Sequence, residues 1–193
     1  MNRYPKHLLK TLIERKHQGQ LQTLQHQYPE IDFCSADYLG FSKNGLLSEK
    51  LAEVTFERAY GATGSRVTTG NSQLMEDAEK QIAMFHHGRK AVLFNSGYAA
   101  NIGLLSSVPQ KMDLILFDEC IHPSLYDGIR LSYATHYKFK HNDVDSLNEL
   151  VHRHQKNFEN IFIVVESVFA LDGDTAPLQE IVELTDTPEE NIF

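Results

Sequence analysis

The chain has 193 residues, 41% of them hydrophobic, and its 18 basic side chains against 26 acidic ones leave a net charge of −8. That is enough apolar residue for a sizeable core, and it lacks the basic footprint that non-specific binding to nucleic acid or an anionic membrane requires. No apolar run approaches the roughly 20 residues of a membrane helix. No signal-peptide segment follows the basic Arg3, Lys6 and Lys10, and the two cysteines, Cys34 and Cys120, rule out a disulfide scaffold or a cysteine-rich zinc motif. The expected setting is a reducing cytoplasm.

In chain order, residues 4–18 read as a helix with Leu8, Leu9, Leu12 and Ile13 on one face. Residues 31–34 read as a short strand, and Ser48 as the cap of a helix reaching about residue 59. Residues 61–70 hold three glycines and four Ser or Thr, which breaks regular structure. Asn71 or Ser72 then caps a helix that turns Leu74, Ala78, Ile82 and Phe85 inward. Beyond it, strands at 91–94, 114–117, 136–139 and 161–165 alternate with helices at 97–107, 124–131, 144–154 and 178–184. Unbroken apolar strands alternating with helices predict an α/β fold, a mostly parallel sheet with helices on both faces, where ligands bind at the carboxyl ends of the strands. The expected organisation is a small N-terminal segment over 1–60, a partial α/β domain over 61–185 and an acidic tail over 186–193 that departs from the pattern.

Residues able to carry chemistry cluster at those carboxyl ends. Asn95-Ser96-Gly97-Tyr98 follows a strand and opens a helix, so the N–H groups of the first turn and the Ser96 hydroxyl can hold a phosphate; an ordinary turn capped by Ser96 has the same spacing. His122 follows the strand at 114–117 and the pair Asp118-Glu119, where it can stack on a planar ring or exchange a proton, or serve only as a loop histidine. Glu166 ends the strand at 161–165 and can support a ligand, whereas Asp172 and Asp174 read as turn formers. Arg66 in the glycine-rich loop can pair with a carboxylate or phosphate. The charges of Lys138–Asp143 read as solvated, and His86, His87, His152 and His154 lack partners at metal-ligand spacing, so no metal site is expected.

Several short runs occur in a specific order: Asp37-Tyr38-Leu39-Gly40, Gly61-Ala62-Thr63-Gly64-Ser65-Arg66, Thr68-Thr69-Gly70-Asn71, Ser96-Gly97-Tyr98-Ala99-Ala100-Asn101, His122-Pro123-Ser124, His141-Asn142-Asp143 and Glu166-Ser167-Val168-Phe169. Together they resemble the α-oxoamine synthases, fold-type I enzymes that use pyridoxal 5'-phosphate. The match runs from about Phe33 to Leu184, and Asp172-Gly173-Asp174-Thr175-Ala176-Pro177-Leu178 most resembles the biotin-pathway branch. The resemblance implies the major domain of the pyridoxal-phosphate-dependent transferase fold and a homodimer. It implies a decarboxylative condensation of an amino acid with an acyl-CoA; in this branch these are alanine and pimeloyl-CoA, while a branch such as glycine C-acetyltransferase uses others. Ser96, Gly97 and Tyr98 match the cofactor-phosphate turn, His122 the histidine that stacks on the pyridine ring and contacts substrate, and Glu166 the acidic residue at the strand end.

Ala36, Met75 and Ala170 stand where the family usually has Asn, His and Ser, each losing a polar contact. The family's strand ending in Asp, with His three residues on, and its Schiff-base lysine fall after the match, and no lysine follows Lys156. The sequence therefore reads as the N-terminal half of such an enzyme, truncated and inactive alone, with a non-catalytic partner chain of a full-length homologue as the alternative.

Overall fold

The computed structural model describes residues 5–21, 23–24, 31, 33–53, 61–185 and 191–193. The chain divides into two compact units, Met1–Gly61 and Ala62–Phe193.

In the first unit, α1 (Lys6–His17) ends in Arg15, Lys16 and His17, which complement the negative end of the helix dipole. Its Leu8, Leu12 and Ile13 are exposed. Helix α2 (Leu46–Glu53) begins two residues before Ser48, because the Asn44 side chain already accepts the Leu46 N–H at 3.1 Å. The continuation expected to residue 59 lies outside the described residues. Ile31, Phe33 and Cys34 form bends and not the expected strand: a strand needs another strand to pair with, and the described residues of this unit include none. Residue 32 lies outside the described residues.

The second unit carries helices α3 (Gln73–Phe85), α4 (Gly97–Ser107), α5 (Pro123–Leu131), α6 (Val144–His154) and α7 (Leu178–Thr185), with strands β1 (Leu114–Asp118), β2 (Thr135–Phe139) and β3 (Ile161–Val164). The strands are parallel in the order β2-β1-β3, with Leu114 opposite Thr135 and Ile161. β1 is central, and all five of its residues are buried. Its alternation sorts the core into two layers. Leu114 and Leu116 pack with Phe139, Leu147, Val151, Ile161 and Ile181, under α6 and α7. Ile115 and Phe117 pack with Leu105, Ile129, Ala134 and Val164, under α4 and α5. The sequence expectation of helices on both faces of a parallel sheet is met. At Asn191–Phe193 the sheet continues: Ile192 bridges Ile161 in parallel, and the Phe193 N–H reaches the Ile161 carbonyl at 2.9 Å. The other residues of the expected tail, 186–190, lie outside the described residues.

Helices α4 and α5 meet at Gly128, where an added Cβ would lie 2.9 Å from the Asn101 carbonyl and 3.0 Å from Leu105 Cβ. Glycine permits that close approach.

Two expectations fail at the start of this unit. Residues 91–94 form no strand, because no described strand pairs with them; the Leu93 N–H donates instead to Glu79 Oε1 at 2.8 Å. In α3, Leu74 is 58% and Phe85 79% exposed, Ile82 is exposed as well, and only Ala83 is buried. The helix is held through its polar side. Arg66 forks onto both oxygens of Glu79 and onto Asn71 Oδ1, and Ser72 caps the helix by accepting from the Met75 N–H at 3.3 Å.

Candidate functional site

A cleft of about 440 Å³ opens at the carboxyl ends of β1 and β3. Gly97 and Tyr98 at the start of α4, His122 after β1 and Glu166 after β3 all line it, with Asn101 and Ser124 beneath. The sequence singled out the first four, and one site holds them.

Each is set by local structure. Ser96 has extended backbone and caps α4 by accepting the Ala99 N–H at 3.1 Å. The N–H groups of Gly97 and Tyr98 bond to no described residue, so the first turn offers two donors at the positive end of the helix dipole. Apart from its chain neighbours and the helix's own backbone, nothing lies within 4 Å of where a Gly97 Cβ would be, so an anion can approach the backbone there. The Tyr98 hydroxyl donates to Asp127 on α5, and that hydrogen bond raises the phenol's pKa above its ordinary value.

His122 caps α5, with Pro123 at the first helical position. Its Nδ1 lies 3.2 Å from the Ser124 N–H and 2.7 Å from Ser124 Oγ. The His122 N–H donates to Glu166 Oε1, which ties the loop after β1 to the loop after β3. The His122 and Tyr98 rings meet edge to face, 6.4 Å between centroids. Glu166 thus acts first on the chain itself while lining the cleft.

Arg66 pairs with a carboxylate, as the sequence allowed, but with that of Glu79 in the chain itself, and with Asn71. Two readings change. Asp174 is more than a turn former: its Oδ2 lies 2.8 Å from both His141 Nε2 and Asn142 Nδ2. Not all of Lys138–Asp143 is solvated, because His141 is half-buried, with Nδ1 2.8 Å from Oδ1 of the fully buried Asp118. Asp118 also accepts the N–H groups of Cys120 and Asn142 at 2.8 Å each, and Phe169 packs edge-on to the His141 ring at 4.5 Å. Ligand atoms of Asp118, Cys120 and His141 lie within 4.8 Å of one another, and the Asp118 carboxylate and the His141 ring are already hydrogen-bonded to each other. Asp172 is an exposed turn residue, as expected. Ala36 and Ala170 are exposed, Met75 sits in the first turn of α3, and neither Met75 nor Ala170 lines the cleft.

Sequence reasoning missed Asn101, Ser124 and the Asp118–His141–Asp174 chain. Their signal, an acid at a strand end and an Asn one helical turn after a cap, is common in α/β folds and becomes specific only when the partners are seen.

The cleft fits part of a pyridoxal phosphate site. Open backbone donors suit its phosphate and the exposed His122 face suits its ring, but no lysine is among the lining residues.

Comparison with known proteins gives a concordant picture. The 8-amino-7-oxononanoate synthase of Haemophilus ducreyi is 37% identical over 182 residues, covering 92% of this chain and 47% of that protein. The solved 8-amino-7-oxononanoate synthase of Francisella tularensis superposes with a TM-score of 0.65 at 27% identity, over 84% of this chain and 43% of that one. A serine palmitoyltransferase solved with PLP superposes at 0.69 and 28% identity, over 80% of this chain and 38% of that one. The chain spans about half the length of the curated relatives it matches. The family model for aminotransferase class I and II matches residues 28–193. With its parallel sheet, its cleft at the strand ends and these relatives, the chain belongs to the aminotransferase class I and II family, and its relatives there are α-oxoamine synthases.

Proposed function

We propose that this chain supplies the phosphate- and ring-binding half of a pyridoxal phosphate site in an 8-amino-7-oxononanoate synthase, which joins alanine to pimeloyl-CoA with loss of carbon dioxide. The carrying observation is the convergence of the α4 N-terminus and His122 on one cleft. When bound, the cofactor supplies the electron-withdrawing ring that decarboxylative condensation needs.

The chain's own residues bind and orient. The Gly97 and Tyr98 N–H groups and the α4 dipole hold the phosphate. The His122 imidazole covers one face of the ring and presents Nε2 to the substrate carboxylate. Glu166 fixes the His122 backbone so that the ring faces the cleft. No lysine among the lining residues can form a covalent link to the cofactor's aldehyde. These 193 residues by themselves therefore bind without turnover, and the active protein is a cytoplasmic homodimer whose cofactor link comes from residues other than these.

The test is titration of the chain with pyridoxal 5'-phosphate, followed by cofactor fluorescence with inorganic phosphate as competitor. Saturable binding that phosphate competes away is expected, with no release of carbon dioxide from alanine and pimeloyl-CoA. Failure to bind overturns the site, and turnover by this chain alone overturns the division of labour.

A further inference from the structure

Ser124 has 1% of its surface exposed and lies at the second position of α5. A hydroxyl so buried must satisfy its hydrogen bonds inside the protein. Its two neighbours are His122 Nδ1 at 2.7 Å and Asn101 Nδ2 at 2.9 Å.

One arrangement of protons suits all of these contacts, with the Nδ1 lone pair shared between the Ser124 hydroxyl and, at longer range, the Ser124 N–H. The Ser124 backbone N–H can only donate, and it points at His122 Nδ1 at 3.2 Å. Nδ1 must therefore carry the lone pair. The contact from Nδ1 to Ser124 Oγ then requires the serine O–H to donate to the ring. With its proton committed, Oγ has only lone pairs left, so Asn101 must present its NH₂ group to it. Each step fixes the next, from the Ser124 N–H through the ring and the Ser124 hydroxyl to Asn101 on α4. In the neutral imidazole the proton then sits on Nε2. Nε2 bonds to no described residue, and the ring lines the cleft.

We infer that Asn101 and Ser124 are positioning residues that hold neutral His122 as the Nε2–H tautomer, making it a hydrogen-bond donor toward an acceptor in the cleft such as a carboxylate. A histidine free to exchange tautomers would offer that donor only part of the time. What the donor acts on rests on the proposed function; the tautomer and its cause do not.

The test is long-range proton–nitrogen correlation spectroscopy on the isotope-labelled chain, at a pH where the imidazole is neutral. His122 is expected to show one protonated nitrogen, Nε2, and one lone-pair nitrogen, Nδ1. Ser124→Ala removes the shorter contact on Nδ1 and keeps the backbone one, so the single-tautomer signature should weaken and a measurable share of the Nδ1–H form should appear. Asn101→Leu should move the ring the same way by a smaller amount, and unchanged α5 amide signals would certify the fold of each variant. A wild-type ring protonated on Nδ1, or wild-type nitrogen shifts retained in both variants, would overturn the inference. Added pyridoxal 5'-phosphate separates the two claims: if the tautomer is as expected but the His122 signals do not respond, the inference stands and the cofactor reading falls.

Discussion

His141 Nδ1 lies 2.8 Å from Oδ1 of Asp118, a carboxylate with no exposed surface at the end of the central strand. Asp174 takes the other ring nitrogen at the same distance. The imidazole therefore links the end of β1 to the turn after Phe169, and its pKa is raised above the ordinary value, first by the Asp118 hydrogen bond. Because the folded-state pKa is the higher one, protonation favours the fold. This contribution is fully present below the unfolded value of about 6.5 and is lost as pH rises through the raised folded value. Thermal melting from about pH 6 to about pH 9 should show a declining stability whose slope shrinks in Asp174→Asn. An identical slope in the variant would remove His141 as the cause.

Removing Asp118 should do more. Asp118→Ala leaves the Cys120 and Asn142 N–H groups and His141 Nδ1 without the carboxylate they share, at a cost of about 3 kcal/mol. Denaturant midpoints would measure it, and a loss below about 1 kcal/mol would mean that water replaces the carboxylate.

Glu79 titrates at about 2, held there first by Arg66 and then by the Leu93 N–H. A lowered carboxylate pKa stabilises above the unfolded value and ceases to as pH falls through the folded one, so the link between Arg66 and the segment at Leu93 should persist at mildly acidic pH and fail only near 2. In Glu79→Gln the Leu93 amide should exchange its hydrogen faster at neutral pH while β1 amides keep their rates. Equal protection of Leu93 in both proteins would show that another group holds it.

Gly97 separates stability from binding. Its Cβ position is open, so Gly97→Ala should leave stability within about 0.5 kcal/mol. A methyl there stands where a phosphate would approach, so affinity for pyridoxal 5'-phosphate should fall about tenfold, equivalent to one charge-assisted hydrogen bond. Unchanged affinity would place the phosphate elsewhere.

Gly128 works the other way. A methyl at that position meets the Asn101 carbonyl and Leu105, so Gly128→Ala should force α4 and α5 apart and cost about 1–3 kcal/mol. The same movement shifts Asn101 against Ser124, so His122 should lose its fixed tautomer in the same variant.

The sequence by itself determined the elements whose signals are local. Unbroken apolar runs located β1 and β3, and cap residues marked the starts of α3 and α4, because a strand buried on both faces and a capped helix leave their marks in consecutive residues. The order of short motifs placed Gly97, Tyr98, His122 and Glu166 in one site before any geometry. Tertiary structure decided whatever depended on a partner distant in sequence. Residues 91–94 have strand chemistry but no described neighbour to pair with, and the apolar side of α3 has nothing described to cover it. Arg66 has the chemistry of an anion ligand, yet Glu79 lies close enough to claim it. Asp174 sits in a good turn sequence and is also the second carboxylate on His141, a role fixed by the approach of two loops 33 residues apart in the chain. Hydrogen bonds and ion pairs act over a few ångströms, so a residue's type limits what it can do, and only the fold settles which partner it meets.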